Sequence, residues 1–156
     1  MPRYVESVER VVAAPPERIF PLVADPRRHK DIDGSGTVRD AKDVPTVLSL
    51  GSTFGMNMEY GGQYTMVSTV IEYEENRRIA WQSRPPVGVD GKWRQLFGGR
   101  IWRYELEPRS DGTLVRESWD LRQEKLRLFV WGYKGKTRRN MERTLERIDR
   151  LATSEA

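Results

Sequence analysis

Met141, Leu145, Ile148, Leu151 and Ala152 recur at spacings of three and four, and this single apolar stripe constrains the fold more than any other feature of the chain. It marks a long amphipathic helix that must lay one side on something else. Upstream the period changes to two. In STFGMNMEY, Phe54, Met56, Met58 and Tyr60 share one face of a strand, with Thr53, Gly55, Asn57 and Glu59 on the other. RIAWQS puts Ile79 and Trp81 on one side, and RIWRYELE sets Trp102, Tyr104 and Leu106 against Ile101, Arg103 and Glu105. QYTMVSTVIEYE is a long strand with apolar residues on both faces. Gly61-Gly62, Asn76 and Ser110-Asp111-Gly112 supply turns between these runs. An antiparallel sheet with one apolar face needs a cover, and the C-terminal helix is the only element long enough to provide it. The expected fold class is α+β.

The start of the chain fits this scheme. Tyr4 to Val12 reads as a first strand, and AAPPERIFPLVADP as a helix opened by Pro15 and Pro16, striped by Ile19, Leu22 and Val23, and stopped at Asp25-Pro26. Pro21 lacks a backbone donor and should kink or shorten that helix. From Arg27 to Pro45 the chain reads as a polar connector with a second short helix at its start. RPPVGVDGKWRQLFGG reads as a loop that exposes Trp93 and Phe97. Gly132 and Gly135 precede the last helix or interrupt a longer one.

Several function classes are excluded or weakened by composition. The chain has 156 residues, 37% of them hydrophobic and 32% charged, with five Trp, six Tyr and four Phe, an aromatic content that disordered chains lack. There is no cysteine, so disulfides and thiolate metal sites are out. The N-terminus shows no signal-peptide pattern and no run approaches a membrane span, so a soluble, cytoplasmic protein is expected. The net charge of +4 is localised: seven basic and three acidic residues lie between Lys134 and Arg150. Such a segment either attracts anionic partners or forms the solvated face of a helix. His29 is the only histidine, which leaves no multi-histidine metal site, and its polar neighbours place it at the surface or at the mouth of a cavity. Asp31 and Asp33 lack the later glutamate of a calcium loop, and the glycine pairs lack phosphate-loop spacing. No metal and no cofactor are expected.

Four segments in this order carry a family resemblance: APPERIFPLVADP, TVIEYEENRRIAWQS, DGTLVRESWDL and RNMERTLERIDRLA. With them the chain resembles the START-like, helix-grip superfamily, also called SRPBCC, and within it the bacterial polyketide cyclase/dehydrase-type proteins. The resemblance implies one START-like domain over residues 1–156. Its expected fold is a curved antiparallel sheet wrapped around a long C-terminal helix, with short helices after the first strand. It also implies a cavity between sheet and helix for a lipid-, sterol- or polyketide-like molecule. Many relatives carry a tryptophan after the first helix, where this chain has His29.

The segment VRESWD sharpens the question of what that interior holds. As a strand it points Val115, Glu117 and Trp119 to one face, leaving a carboxylate on the apolar side. An unpaired buried carboxylate costs several kcal/mol, so Glu117 requires a hydrogen-bonding partner (Tyr104, Tyr60 or an arginine), protonation through a raised pKa, or a water-containing hollow. The expected ligand-binding residues are Phe54, Met56, Met58, Tyr60, Trp81, Trp102, Tyr104, Glu117 and Trp119, although core packing explains such a stripe equally well. The leading function is binding of a small hydrophobic molecule, as carrier or sensor. The alternative is a polyketide cyclase or dehydratase using Glu117 as acid or base, with no local catalytic motif to support it. A surface-acting basic protein ranks third: nucleic acid is disfavoured, and membrane contact would be transient. Phe129 and Trp131 read equally as core, lid or dimer contacts, and the oligomeric state stays open.

Overall fold

The computed structural model describes residues 3–36, 38–42, 48–59, 63–85 and 97–154. Alternating sequences become strands β1 (Val5–Val12), β2 (Val38–Lys42), β3 (Thr53–Glu59), β4 (Gln63–Glu74), β5 (Arg78–Arg84), β6 (Arg100–Arg109) and β7 (Gly112–Asp120). Helices α1 (Pro16–Ala24) and α2 (His29–Ile32) follow β1, with a 3-10 turn at Pro26–Arg28 between them. After β7 come α3 (Arg127–Val130), a 3-10 turn at Trp131–Tyr133, and the long α4 (Lys134–Ser154). Helix α1 continues through Pro21 to Ala24, where Asp25 N–H closes on the Pro21 carbonyl at 3.2 Å.

Among the described residues the strands form one sheet in the order β1-β7-β6-β5-β4-β3-β2, with every pair antiparallel. Strand β2 corrects the sequence reading, which made all of Arg27 to Pro45 a connector with a helix. Its residues VRDAK have weak strand character of their own, and the strand exists by pairing with β3 at the sheet edge.

Helix α4 covers the inner face, packing chiefly on β1 and touching α1, α2 and β7. It buries Met141, Leu145, Ile148 and Ala152 as the stripe requires, together with Thr144. Ile19, Leu22, Val23, Ile79, Val115 and Leu121 meet them, all 0–1% exposed. Each such side chain contributes roughly 1.5–3 kcal/mol by leaving water. Ion pairs Arg10–Asp149 (2.7 Å) and Arg138–Glu6 tie the helix to β1. Gly34, after α2, lies so near α4 that a Cβ there would sit 2.2 Å from the Asn140 carbonyl oxygen. Its N–H donates to Thr144 Oγ1 at 2.8 Å, anchoring the α2 end of the molecule on the helix.

The outer face of the sheet is a lattice of opposite charges. Arg103 bridges Glu72 (2.6 Å) and Asp120 (3.4 Å), Arg78 bridges Glu72 and Glu105, and Arg116 reaches Glu9 at 2.6 Å. A cleft of about 210 Å3 opens among Arg77, Arg78, Glu105, Glu107 and Arg116. Strand alternation puts Arg116 and Glu117 on opposite faces, so the sheet separates this polar cleft from Glu117.

Candidate functional site

Register brings the inward residues into two rungs. In one, Val8, Glu117, Tyr104 and Ile79 face each other across β1, β7, β6 and β5. In the next, Trp119, Trp102, Trp81 and Val70 do so across β7, β6, β5 and β4. Glu117 is therefore inside, 3% exposed, between a valine and a tyrosine.

Its partner is Tyr104, whose hydroxyl donates to Glu117 Oε2 at 2.9 Å. Burial pushes the Glu117 carboxyl up to about 8, with a smaller push from the negative charge of Asp33, while the Tyr104 hydrogen bond holds it down. The carboxyl is mostly protonated at neutral pH. Burial and the neighbouring Glu117 together raise the Tyr104 phenol well above its ordinary value. Two of the three solutions expected for a buried glutamate, a donor and a raised pKa, are thus combined at one residue.

Among the described residues, two polar side-chain atoms are buried without a hydrogen-bond partner: Glu117 Oε1 and Trp119 Nε1. They belong to successive inward positions of β7. A protonated Oε1 and the indole N–H are both donors, so this part of the interior offers donors with nothing of the protein to accept them.

Aromatic rings surround the pair. Trp81 lies 5.8 Å from Tyr104 and 5.7 Å from Phe54, centroid to centroid. His29 stacks on Trp81 at 4.8 Å and meets Phe54 edge-on at 5.7 Å. This corrects the placement of His29 at the surface or mouth: the imidazole is 7% exposed. The turn at Pro26–Arg28 swings it inward, and its Nε2–H donates to the Val23 carbonyl at 2.9 Å. Burial lowers its pKa, against that hydrogen bond and the charges of Asp25 and Asp33, so the ring stays neutral.

On the other side, Trp119 stacks near-parallel on Trp131 at 6.1 Å and tilts against Trp102 at 6.3 Å. Tyr4 meets Trp131 edge-on at 5.7 Å. Phe54, Met56, Trp81, Tyr104, Glu117 and Trp119 are buried, and Trp102 is partly buried against the core. Met58 lies in β3 opposite Tyr64, whereas Tyr60 and Trp93 lie outside the described residues. Phe97 is partly buried rather than exposed, since Gly98 and Gly99 fold it back towards the core. Trp131 belongs to the interior stack and Phe129 to the surface. Among the described residues no group of three His, Asp or Glu side chains could hold a metal ion, and no helix is long and apolar enough to cross a membrane.

Tyr104→Phe tests the pairing. Both carboxyl oxygens would then lack a donor, at a cost of about 1–3 kcal/mol of stability, and Glu117 should titrate above its present midpoint. Carboxyl-carbon NMR across pH 5–10 reads this directly, and an unmoved Glu117 resonance would disprove the partnership.

A curved antiparallel sheet closed by a long C-terminal helix defines a helix-grip protein, and here the inner face of the sheet carries a buried acid among aromatic rings. The chain belongs to the polyketide cyclase / dehydrase and lipid transport family, whose model matches residues 5–153. It is 40% identical over 120 residues to the uncharacterized protein Rv0088 of Mycobacterium tuberculosis, a match covering 76% of this chain and 47% of that protein. The chain thus spans about half the length of the curated relatives it matches. Among solved structures, protein Ms6760 of Mycobacterium smegmatis superposes with a TM-score of 0.71 at 17% identity, covering 98% of this chain and 93% of that one. DynU16, a protein in the dynemicin biosynthetic locus, superposes with a TM-score of 0.66 at 14% identity, covering 99% of this chain and 49% of that one. At such identities the likeness is one of fold.

Proposed function

We propose that the chain binds a small hydrophobic molecule, of lipid, sterol or polyketide type, in the interior between the sheet and α4, as its carrier or sensor. The reading rests above all on the two partnerless buried atoms, Glu117 Oε1 and Trp119 Nε1. Evolved interiors rarely leave such groups unpaired, because each costs about 1–3 kcal/mol. A guest that presents an acceptor to both removes that cost on binding. Its apolar body would lie along Phe54, Met56, Trp81, Trp102, Tyr104 and Trp119, where affinity comes from apolar surface leaving water. His29 joins this wall through its stack on Trp81. The family's description, cyclase, dehydrase and lipid transport, agrees with such a guest.

A second reading is favoured by one observation. A carboxyl titrating at about 8 exchanges its proton near neutral pH, as a general acid or base must. In a cyclase or dehydratase, neutral Glu117 would give its proton to a guest oxygen, and the carboxylate would take one back from carbon. DynU16, from a biosynthetic locus, shares the fold and lends this reading a precedent of setting.

Native mass spectrometry of the purified protein, followed by solvent extraction, tests for the guest. A copurified or titratable apolar molecule is expected. Trp119→Phe keeps an aromatic side chain, smaller than the indole and without its N–H, and should weaken a carbonyl-bearing guest about five- to tenfold. Protein that stays empty against lipid, sterol and polyketide panels would end both readings. For the second, Glu117→Gln should abolish turnover and retain binding.

A further inference from the structure

The segment between β7 and α4 has two unlike sides. Inward, Val130 is buried and Trp131 stacks on Trp119. Outward, Leu128, Phe129 and Tyr133 are 77%, 62% and 49% exposed, three of the few large apolar side chains in water among the described residues. They are contiguous: Phe129 lies 6.1 Å from Tyr133 and 6.3 Å from Phe97, ring to ring. A contiguous apolar patch, unlike a lone exposed leucine, marks a contact surface.

Charge identifies the kind of partner. From Lys125 to Arg139 the chain reads KLRLFVWGYKGKTRR, with six basic residues and no acidic one. Arg138 is compensated from outside the run by Glu6 and Glu142. Arg127 lies over the Tyr4 ring at 5.7 Å and Lys134 over the Trp131 ring at 5.2 Å, so both cations flank the apolar crown. Large apolar side chains at the tip with lysines and arginines around them match the boundary of an anionic bilayer, where apolar groups enter the acyl edge and cations meet headgroups. Nucleic acid fits less well, because an exposed leucine beside the aromatics offers no stacking surface. A two-fold pairing with a second copy would set this basic run against itself.

We propose that the segment Lys125–Arg139 docks the protein on an anionic lipid bilayer through Leu128, Phe129 and Tyr133. Docking there sets the membrane against the outer side of the turn whose inner side, Trp131, touches the interior stack. It goes beyond guest binding and stands whether or not a guest is found.

The test is flotation of the full chain with vesicles of phosphatidylcholine, with and without phosphatidylserine. Docking is expected only with phosphatidylserine and should fade as salt rises. Leu128→Ser with Phe129→Ser, and separately Lys134→Glu with Arg139→Glu, should each weaken it at least about tenfold with unchanged melting temperature. All four residues are exposed, Lys134 with its Nζ over the Trp131 ring, and the salt series on the unmodified protein decides if either variant misfolds. Guest retention, read apart by native mass spectrometry, should be unaltered in Leu128→Ser with Phe129→Ser, which touches no residue of the interior stack. No flotation at low salt, or flotation that ignores both variants and salt, overturns the proposal. So does salt-dependent binding to DNA or RNA without vesicle binding, or a solution dimer that Leu128→Ser with Phe129→Ser dissociates.

Discussion

Glu117→Gln is expected to abolish a decline in stability, on the order of 5 kcal/mol, that the unmodified protein undergoes between about pH 4.5 and pH 8. In the unfolded chain this carboxyl ionises near 4.5, and in the folded protein only near 8. Across that window the folded state holds a proton that the unfolded state has lost, so rising pH favours unfolding. Below the window both states are protonated, and above it both are ionised. Stability is therefore full at the acid end and lost as pH rises through the folded value. Glutamine stays neutral throughout and can still accept from Tyr104, which makes the variant the more stable protein above pH 8.

His29 acts with the opposite sign. Its folded pKa is lowered by burial, so stability is lost as pH falls below about 6.5, where the unfolded imidazole charges and the folded one does not. The total profile mixes the two groups, and the difference between unmodified protein and Glu117→Gln isolates the glutamate. Urea unfolding midpoints from pH 4.5 to 9 measure it. Curves that run parallel would mean that Glu117 is solvated or already ionised at neutral pH.

A second large effect is expected at a carboxylate outside the Glu117–Tyr104 pair. Glu124 has a side chain 0% exposed and accepts from Gly98 N–H (2.7 Å), Arg100 N–H (3.0 Å) and the Arg100 guanidinium (3.2 Å). It holds the chain leaving β7 against the chain entering β6. The approach is so close that Gly99, at φ +107°, would place a Cβ 2.1 Å from the Gln123 carbonyl oxygen. Glu124→Ala strands two backbone donors and a half-buried arginine, and should cost about 3–5 kcal/mol. At this chain length that corresponds to roughly 10 °C in melting temperature, read by calorimetry. A loss within about 1 kcal/mol would show that water replaces the carboxylate without penalty.

Nothing in the local sequence marks Glu124, and the reason is general. QEKL carries no pattern that separates a clamp from a solvated turn, since its donors come from residues 24 and 26 positions away. Glu117 was legible because a strand's alternation is local: Val115 and Trp119 on either side showed which way it faced. Tyr104 could be named only as one of several donors, because the choice depends on the β6–β7 register. His29 was misplaced by its polar neighbours, as the fold turned its ring inward over a span that no period describes. Strand β2 is illegible for the same reason: its identity comes from β3.

By itself, the sequence determined the periods of two and 3.6, the turns between them, the helix that had to close the sheet, and the inward face of Glu117. Each of these follows from backbone geometry and side chains a few residues apart. Only the tertiary structure decided which hydroxyl meets Glu117, that its carboxyl keeps a proton near neutral pH, that His29 packs on Trp81, and that Leu128, Phe129 and Tyr133 face water. Desolvation and hydrogen-bond pairing are sums over everything within a few ångströms, and in this fold those neighbours come from strands and helices far apart in the chain.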